Sequence, residues 1–342
     1  MRSFFEEFAG RPGCLSTPVT RAVGLLICFS ITPELLAGQG AGSAKDALNL
    51  HEHIAWQIAL ERTGFSPGII DGKIGTKTGL ATREFQRVRG LPQTGTLDAT
   101  TARALDVGSV TPVTTYTISE ADAHEVIPTP AEWIKKSRQK RLGYDSVAQV
   151  VAEKFHASQH LLARLNPGRN LLQLNTGDSL DVPATGDTTS LTQADMLEVD
   201  LNQKIIRALD GEKRLVALFH CSIAADKAKL PTGSARVVTI AKDPVYHFDP
   251  KMWPEVKGVD RKLEIPPGPR NPVGVRWIGL SLPGYGIHGT PNPELIGKTG
   301  SHGCVRLTNW DAVRLASMVR VGTPVRFTRG TPPDQIKDRA RD

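Results

Sequence analysis

The sequence predicts a multidomain chain: a small three-helix domain, a degenerate βααβ unit, and a β-rich sandwich that occupies the C-terminal part. Three observations carry that expectation. The chain has 342 residues, more than one hydrophobic core usually organises. Apolar residues at i, i+4 and i+7 dominate before residue 106, whereas from Asp200 onward runs rich in Val, Ile and Leu alternate with turn signals. A Thr-, Val- and Pro-rich stretch, Val107–Val113, separates the two textures as a linker. With 39% hydrophobic and 23% charged residues, the composition excludes wholesale disorder, a collagen and a polytopic membrane protein. A formal charge of +7 favours anionic surroundings, yet no basic run with interleaved aromatics supports a nucleic-acid binder.

Residues 1–43 read as an export segment. Ala22–Ile31 is the longest apolar run, preceded by Arg2, Arg11 and Arg21 and followed by small residues, as in a secretory signal. The run is short of the ~20 residues that a membrane span needs, which disfavours an uncleaved anchor. The expected location is therefore outside the cytosol. Cleavage would remove Cys14 and Cys28 and leave Cys221 and Cys304; no C-x-x-C pair exists to build a zinc knuckle.

Residues 44–106 read as three short helices. Ile54, Ile58 and Glu61 mark one face and its polar edge; Ala81, Phe85 and Val88 mark a second helix. Between them Pro67-Gly68 and Asp71-Gly72 impose turns, and Asp98 is the expected N-cap of a third helix ending at Leu105. Asp71-Gly72, Gly75, Thr78, Phe85-Gln86, Gly90-Leu91, Gly95 and Thr100 resemble the peptidoglycan-binding domain of bacterial wall hydrolases. This segment holds no nucleophile and base, so it is read as a tethered targeting module.

Residues 114–185 form the βααβ unit: a strand over Tyr116–Ser119, helices over Ser146–Phe155 and Gln159–Leu165, a break at Asn166-Pro167-Gly168, and a strand over Asp178–Pro183. The unit is similar to a LysM module, a resemblance that implies binding to glycan strands. It departs from that family in the long, basic insertion between Glu120 and Tyr144.

Residues 198–328 are the β-rich part. Strands are expected at Ile205–Leu209, Arg214–Ile223, Ala235–Ala241, Val275–Leu282 and Thr323–Thr328, with Asp210-Gly211-Glu212 as a hairpin signal. One helix stands out, Asn309–Val319, with Asn309 as cap. Tyr246, Phe248 and Trp253 lie in a long segment, Asp243–Arg270, that reads either as a lid or as local packing. The tail, 329–342, is polar.

Chemistry concentrates in Tyr285–Leu307, YGIHGTPNPELIGKTGSHGCVRL. Cys304 needs a base to act as a thiolate, and His288 and His302 bracket its loop. The amides of Gly303 and Cys304 are placed to meet an oxyanion. Three other readings stand beside this one: a buried structural thiol, a Cys221–Cys304 disulfide, and a zinc site of His288, His302 and Cys304. Cys221, inside a strand-like FHCSI, reads as core, with His220 facing the opposite side of the sheet.

A histidine followed sixteen positions later by the cysteine of Ser-His-Gly-Cys resembles the L,D-transpeptidase catalytic domain, as do Pro231–Gly233, Asn271–Gly274 and Trp277–Leu280. The resemblance implies that Cys304 is the nucleophile and His288 the base, its tautomer fixed by a backbone carbonyl. It further implies that Ser301, His302 and Gly303 shape the donor and oxyanion site, with Arg306, Gly289 and Tyr285 contacting substrate. Many relatives have Asn where this chain has Arg306, so that residue either holds a substrate carboxylate or orients the loop. The implied reaction is transfer of a tetrapeptide stem to an amine, giving a 3→3 cross-link in peptidoglycan. Water or a lipoprotein lysine as acceptor would give a carboxypeptidase or an anchoring enzyme, and a wall-binding scaffold is the non-catalytic alternative. Neither an ATP loop nor a dinucleotide fingerprint appears, so no cofactor is implied.

Overall fold

The computed structural model describes residues 49–186, 191–253, 255–301 and 303–330. The export segment, the tail beyond 330 and His302 therefore lie outside the described residues. Helix α1 covers 49–62, followed by α2 (Thr76–Val88) and α3 (Ala99–Ala104), where Asp98 caps by accepting from the Thr101 amide at 2.7 Å. Ile54 and Ile58 of α1 and Ala81 and Phe85 of α2 are fully buried, as their spacing requires.

Next come β1 (Val113–Thr117), the short helices α4 (Glu120–His124) and α5 (Trp133–Lys136), then α6 (Val147–Lys154), α7 (Gln159–Leu165) and β2 (Ser179–Pro183). Strands β1 and β2 pair antiparallel, Val113 opposite Pro183. The first strand thus starts three residues before the expected Tyr116 and takes its first residue, Val113, from the end of the expected linker.

The remaining chain supplies β3 (Met196–Asp200), β4 (Ile205–Leu209), β5 (Leu215–His220), β6 (Ser234–Lys242), β7 (Tyr246–Phe248), β8 (Leu263–Ile265), β9 (Arg276–Leu280), β10 (Gly286–His288), β11 (Val305–Arg306), α8 (Asn309–Met318) and β12 (Pro324–Thr328). The cap of α8 is Thr308, whose hydroxyl accepts from the Asp311 amide, rather than Asn309. Asn309 instead turns its amide outward from the helix, to Glu153 and the Pro269 carbonyl.

Eight strands form one sheet in the order β11-β10-β9-β6-β12-β3-β4-β5, and β7 and β8 make a separate hairpin. The β-rich sandwich is this one sheet curled until its ends meet. Just past β5, Ser222 exchanges two backbone hydrogen bonds with Arg306 of β11, at 2.8 and 2.9 Å. Edge strands that find each other leave no open ladder.

The three segments do not behave as tethered beads. One apolar core contains Ile54, Ile58 and Phe85 from the first, Leu161, Leu162 and Val182 from the second, and Ile205, Leu209, Leu215 and Leu218 from the sheet. Residues 64–66 run beside β5, with the Leu218 amide donating to Gly64 and the Ser66 amide to Leu218. Gly64 has φ +92°, and a Cβ there would lie 2.8 Å from the Val216 carbonyl, so only glycine suits this approach.

Buried charge fixes the same seam. Arg314 of α8 donates to the Glu61 carbonyl at 2.7 Å and faces its carboxylate at 3.5 Å, and His156 meets that carboxylate at 2.6 Å. Ser66 donates to Asp311 at 2.8 Å. Burial pushes the Glu61 carboxyl up, but His156 and Arg314 outweigh it and hold it below its ordinary value. At Asp311 burial wins over Arg314, raising it to about 6. Because Glu61 and Asp311 are buried, Arg314→Ala leaves Glu61 with His156 and Asp311 with only the Ser66 hydroxyl; we expect a loss of about 3–5 kcal/mol in unfolding free energy. Denaturant unfolding of the full chain checks this, and a loss under about 1 kcal/mol would show that the seam does not depend on the network.

Candidate active site

Strand pairing alone brings the candidate nucleophile and base together. β10 runs antiparallel to β9 and parallel to β11, with Ile287 opposite Val305 and His288 opposite Arg306. Cys304 therefore sits level with Gly286, two residues from His288, and side chains two apart share a face. A parallel pair needs a long crossover, which is why the two residues are sixteen positions apart in the sequence. The crossover is clamped to the opposite end of the sheet: the Ser301 amide donates to Ile223 at 2.8 Å and the Ala225 amide to Ser301 at 2.9 Å.

His288 is buried, its ring stacked on Trp277 with centroids 5.7 Å apart. Its Nδ1 lies 2.6 Å from the Gly289 carbonyl, so Nδ1 carries the proton and Nε2 is left as the basic nitrogen. A Cβ on Gly289 would fall 2.2 Å from Asn309 Oδ1, so this glycine is held by α8 and serves to orient the histidine. Cys304 is half-buried, and its thiol donates to the Gly284 carbonyl at 3.5 Å. Ser301 donates to the Cys304 carbonyl and accepts from the Gly303 amide at 3.2 Å. Tyr285 donates to Lys229 at 2.8 Å, which fixes its ring beside Gly303.

Arg306 settles on its own loop. Its Nη2 donates to the carbonyls of Thr299 at 3.2 Å and Gly300 at 2.6 Å, and the side chain also lines the cavity over Cys304. Cys221 is fully buried in the sheet core, and both described cysteines are free thiols. His220, also buried, points away to the Lys77 carbonyl at 3.1 Å.

A cavity of about 630 Å³ opens over Cys304, lined by His288, Ser301, Gly303, Arg306 and Trp277 on the sheet side. Tyr246, Met252 and Trp253 cover its other side, so the Asp243–Arg270 segment does overhang the cleft. The sequence offered no sign of what supports it. Trp133, from the insertion that departs from the LysM pattern, stacks on Phe248 at 4.2 Å, and Leu142 is fully buried with Phe248 and Ile265. The Leu142 amide donates to Pro267 at 2.9 Å. Aromatic residues more than a hundred positions apart give no local signal of contact.

Residues 194–327 match the L,D-transpeptidase catalytic domain family, and residues 53–105 match a peptidoglycan binding domain. A Bacillus licheniformis protein named L,D-transpeptidase YkuD is 30% identical over 180 residues, spanning 53% of this chain and 92% of that protein. A Fuscovulum blasticum protein named as an L,D-transpeptidase is 45% identical over 134 residues, 38% of this chain and 68% of that one. Among solved structures, an L,D-transpeptidase from Xylanimonas cellulosilytica covers 81% of this chain and 93% of its own at 18% identity, with a TM-score of 0.35, too loose to bear on the site.

Electrostatics give the site a definite resting state. Burial, aided by Arg306, lowers His288 to about 4 against the Gly289 hydrogen bond. Burial raises Cys304 above its ordinary thiol value, only partly opposed by the Gly286 backbone and Arg306. At neutral pH the pair is thus thiol and neutral imidazole. The thiolate fraction should rise with pH through a single alkaline ionisation, without an inflection near 6.5. The pH dependence of iodoacetamide alkylation of Cys304 checks this; a step between pH 5 and 7.5 would mean a preformed thiolate–imidazolium pair.

Proposed function

The chain belongs to the L,D-transpeptidase family, and we propose that Cys304 is its nucleophile and His288 its general base. Peptidoglycan is the partner, and the family acts outside the cytoplasm. The observation that supports this assignment most is the convergence of the Cys304 thiol and a histidine of fixed tautomer in one cavity. As Cys304 Sγ attacks the carbonyl of the third residue of a tetrapeptide stem, its proton passes to His288 Nε2. The C–N bond to terminal D-alanine breaks, and His288 returns that proton to the leaving amine. In the thioester, an amine of a second stem, the side chain of meso-diaminopimelate, attacks the same carbonyl. It loses its proton through His288 to the departing Cys304, and the product is a 3→3 cross-link.

The Gly303 amide is already engaged by Ser301, so the Cys304 amide is the backbone donor offered to the oxyanion. His302 is assigned to the donor site by its place in the motif alone. The division into 44–106, 114–185 and 198–328, the glycan contact of the middle unit and export by 1–43 belong to the same reading, as do water or a lipoprotein lysine as alternative acceptors.

Mass spectrometry of purified enzyme with disaccharide-tetrapeptide tests it. We expect a dimer equal to two monomers less one alanine, and turnover in Cys304→Ala below about a thousandth of wild type. Gly289→Ala, whose methyl would meet Asn309, should lower kcat by about a hundredfold through the displaced histidine. Hydrolysis without dimer would make the acceptor water; activity retained in Cys304→Ala would move the nucleophile elsewhere.

A further inference from the structure

A second cavity of about 670 Å³ lies where α2 meets the crossover between His288 and Cys304, and the reaction above makes no use of it. Its walls come from the peptidoglycan-binding segment (Pro67, Leu80), from the end of β5, and from the crossover itself (Ile296, Gly297). Four lysines, Lys73, Lys77, Lys204 and Lys298, line it with two acidic residues, Glu294 and Asp71, the latter bonded to Gln57; the three lysines at the crossover are Lys77, Lys204 and Lys298. The Lys77 stem threads between Gly68 and Gly297, where a Cβ would meet its methylenes at 3.0 and 3.5 Å respectively. Lys204 donates to the Gly297 carbonyl at 3.0 Å.

No carboxylate among the described residues lies within ion-pair distance of any of these three lysines. Burial and the charge of Lys298 lower the Lys77 ammonium, and the attraction of Asp311 and Asp71 does not restore it. Converging, unpaired lysines repel one another unless an anion joins them. The first turn of α2 opens on the same cavity with Gly75 at its N-cap, no side-chain acceptor and no acidic residue, so it adds to the positive field. Beside the lysines, Pro67, Ile69, Leu80 and Ile296 offer an apolar lining, which suits an amphiphilic anion better than a bare one.

We propose that this cavity is a second binding site, specific for the free carboxylates of a peptidoglycan stem peptide. The source of the carboxylates rests on the transpeptidase reading; the lysine cavity does not. Its place gives it a role. Gly297 is held by Lys204 and by Ser222, whose hydroxyl accepts from its amide at 2.9 Å, and two residues on Arg306 grips Thr299 and Gly300. A stem bound here lies against the same loop that delivers Cys304, so wall captured by the N-terminal segment is presented beside the active site.

The test is calorimetric titration of the full-length Cys304→Ala protein with disaccharide-tripeptide, its fully amidated counterpart, and inorganic phosphate. The double variant Lys77→Met/Lys298→Met, also with Cys304→Ala, should bind the tripeptide at least tenfold more weakly, and amidation should cost the parent a similar factor. Methionine keeps the Lys77 stem packed; Lys298→Met alone, at an exposed position, guards against misfolding and should weaken binding about threefold. Unchanged affinity in both variants, equal binding of the amidated peptide, or phosphate binding as tightly as the tripeptide would each overturn the proposal. Failure of the transferase assignment would instead appear in the turnover assay, and leaves this titration interpretable.

Discussion

Arg314 is the point on which the assembly turns. A guanidinium buried in a helix must be met by acceptors, and here they come from α1 through Glu61, while His156 of the middle unit shares the same carboxylate. Such a network contributes little net stability, since desolvation offsets most of its attraction, but it penalises every misplaced arrangement of the three segments. The apolar core shared by α1, α7 and β5 supplies the driving force, and the charges supply the register. The consequence reaches the chemistry through α8. Its first residue, Asn309, holds the turn of Gly274 and Gly289, and Gly289 in turn sets the tautomer of His288. Asn309 is itself held by Glu153, a half-buried carboxyl of α6 raised to about 7 by loss of solvent.

The middle unit acts on the site from the opposite side as well. Its insertion, which from sequence looked like a departure from a glycan-binding pattern, packs Trp133 and Leu142 under the β7–β8 hairpin, whose Tyr246 and neighbouring Trp253 overhang Cys304. One segment thereby holds the turn beside His288 through Glu153 and packs against the hairpin that lines the Cys304 cavity.

Where a residue's role is set by its near neighbours, the sequence was readable. Asp98 caps the third helix because its acceptor serves an amide three residues on, and Gln159–Leu165 is helical between a serine cap and the Asn166-Pro167 break. The Cys304–His288 pair was legible because a fixed spacing encodes a parallel crossover. Asn309 was misplaced because Asn and Thr are both good caps and the choice depends on Glu153, 156 residues away. The linker at Val107–Val113 looked like a tether because its composition says nothing about the core on either side. β7 and β8 are three residues each and pair only with each other, and β3 lies before the Val-, Ile- and Leu-rich run although its hairpin partner β4 follows directly.

Closure of the sheet has a temporal side. The strand that follows Cys304 is only two residues long, too short to persist alone, and its partners are β10 across the crossover and Ser222, more than eighty positions upstream. Contacts so remote in sequence form late, after the loops they enclose have already lost their freedom. In an unfolded chain Cys304 has neither a neighbouring histidine nor a cavity, and is an ordinary thiol. Only the pairing of β10 with β11 sets it beside His288, so the arrangement that the proposed chemistry needs is a product of the fold and of no local stretch of sequence.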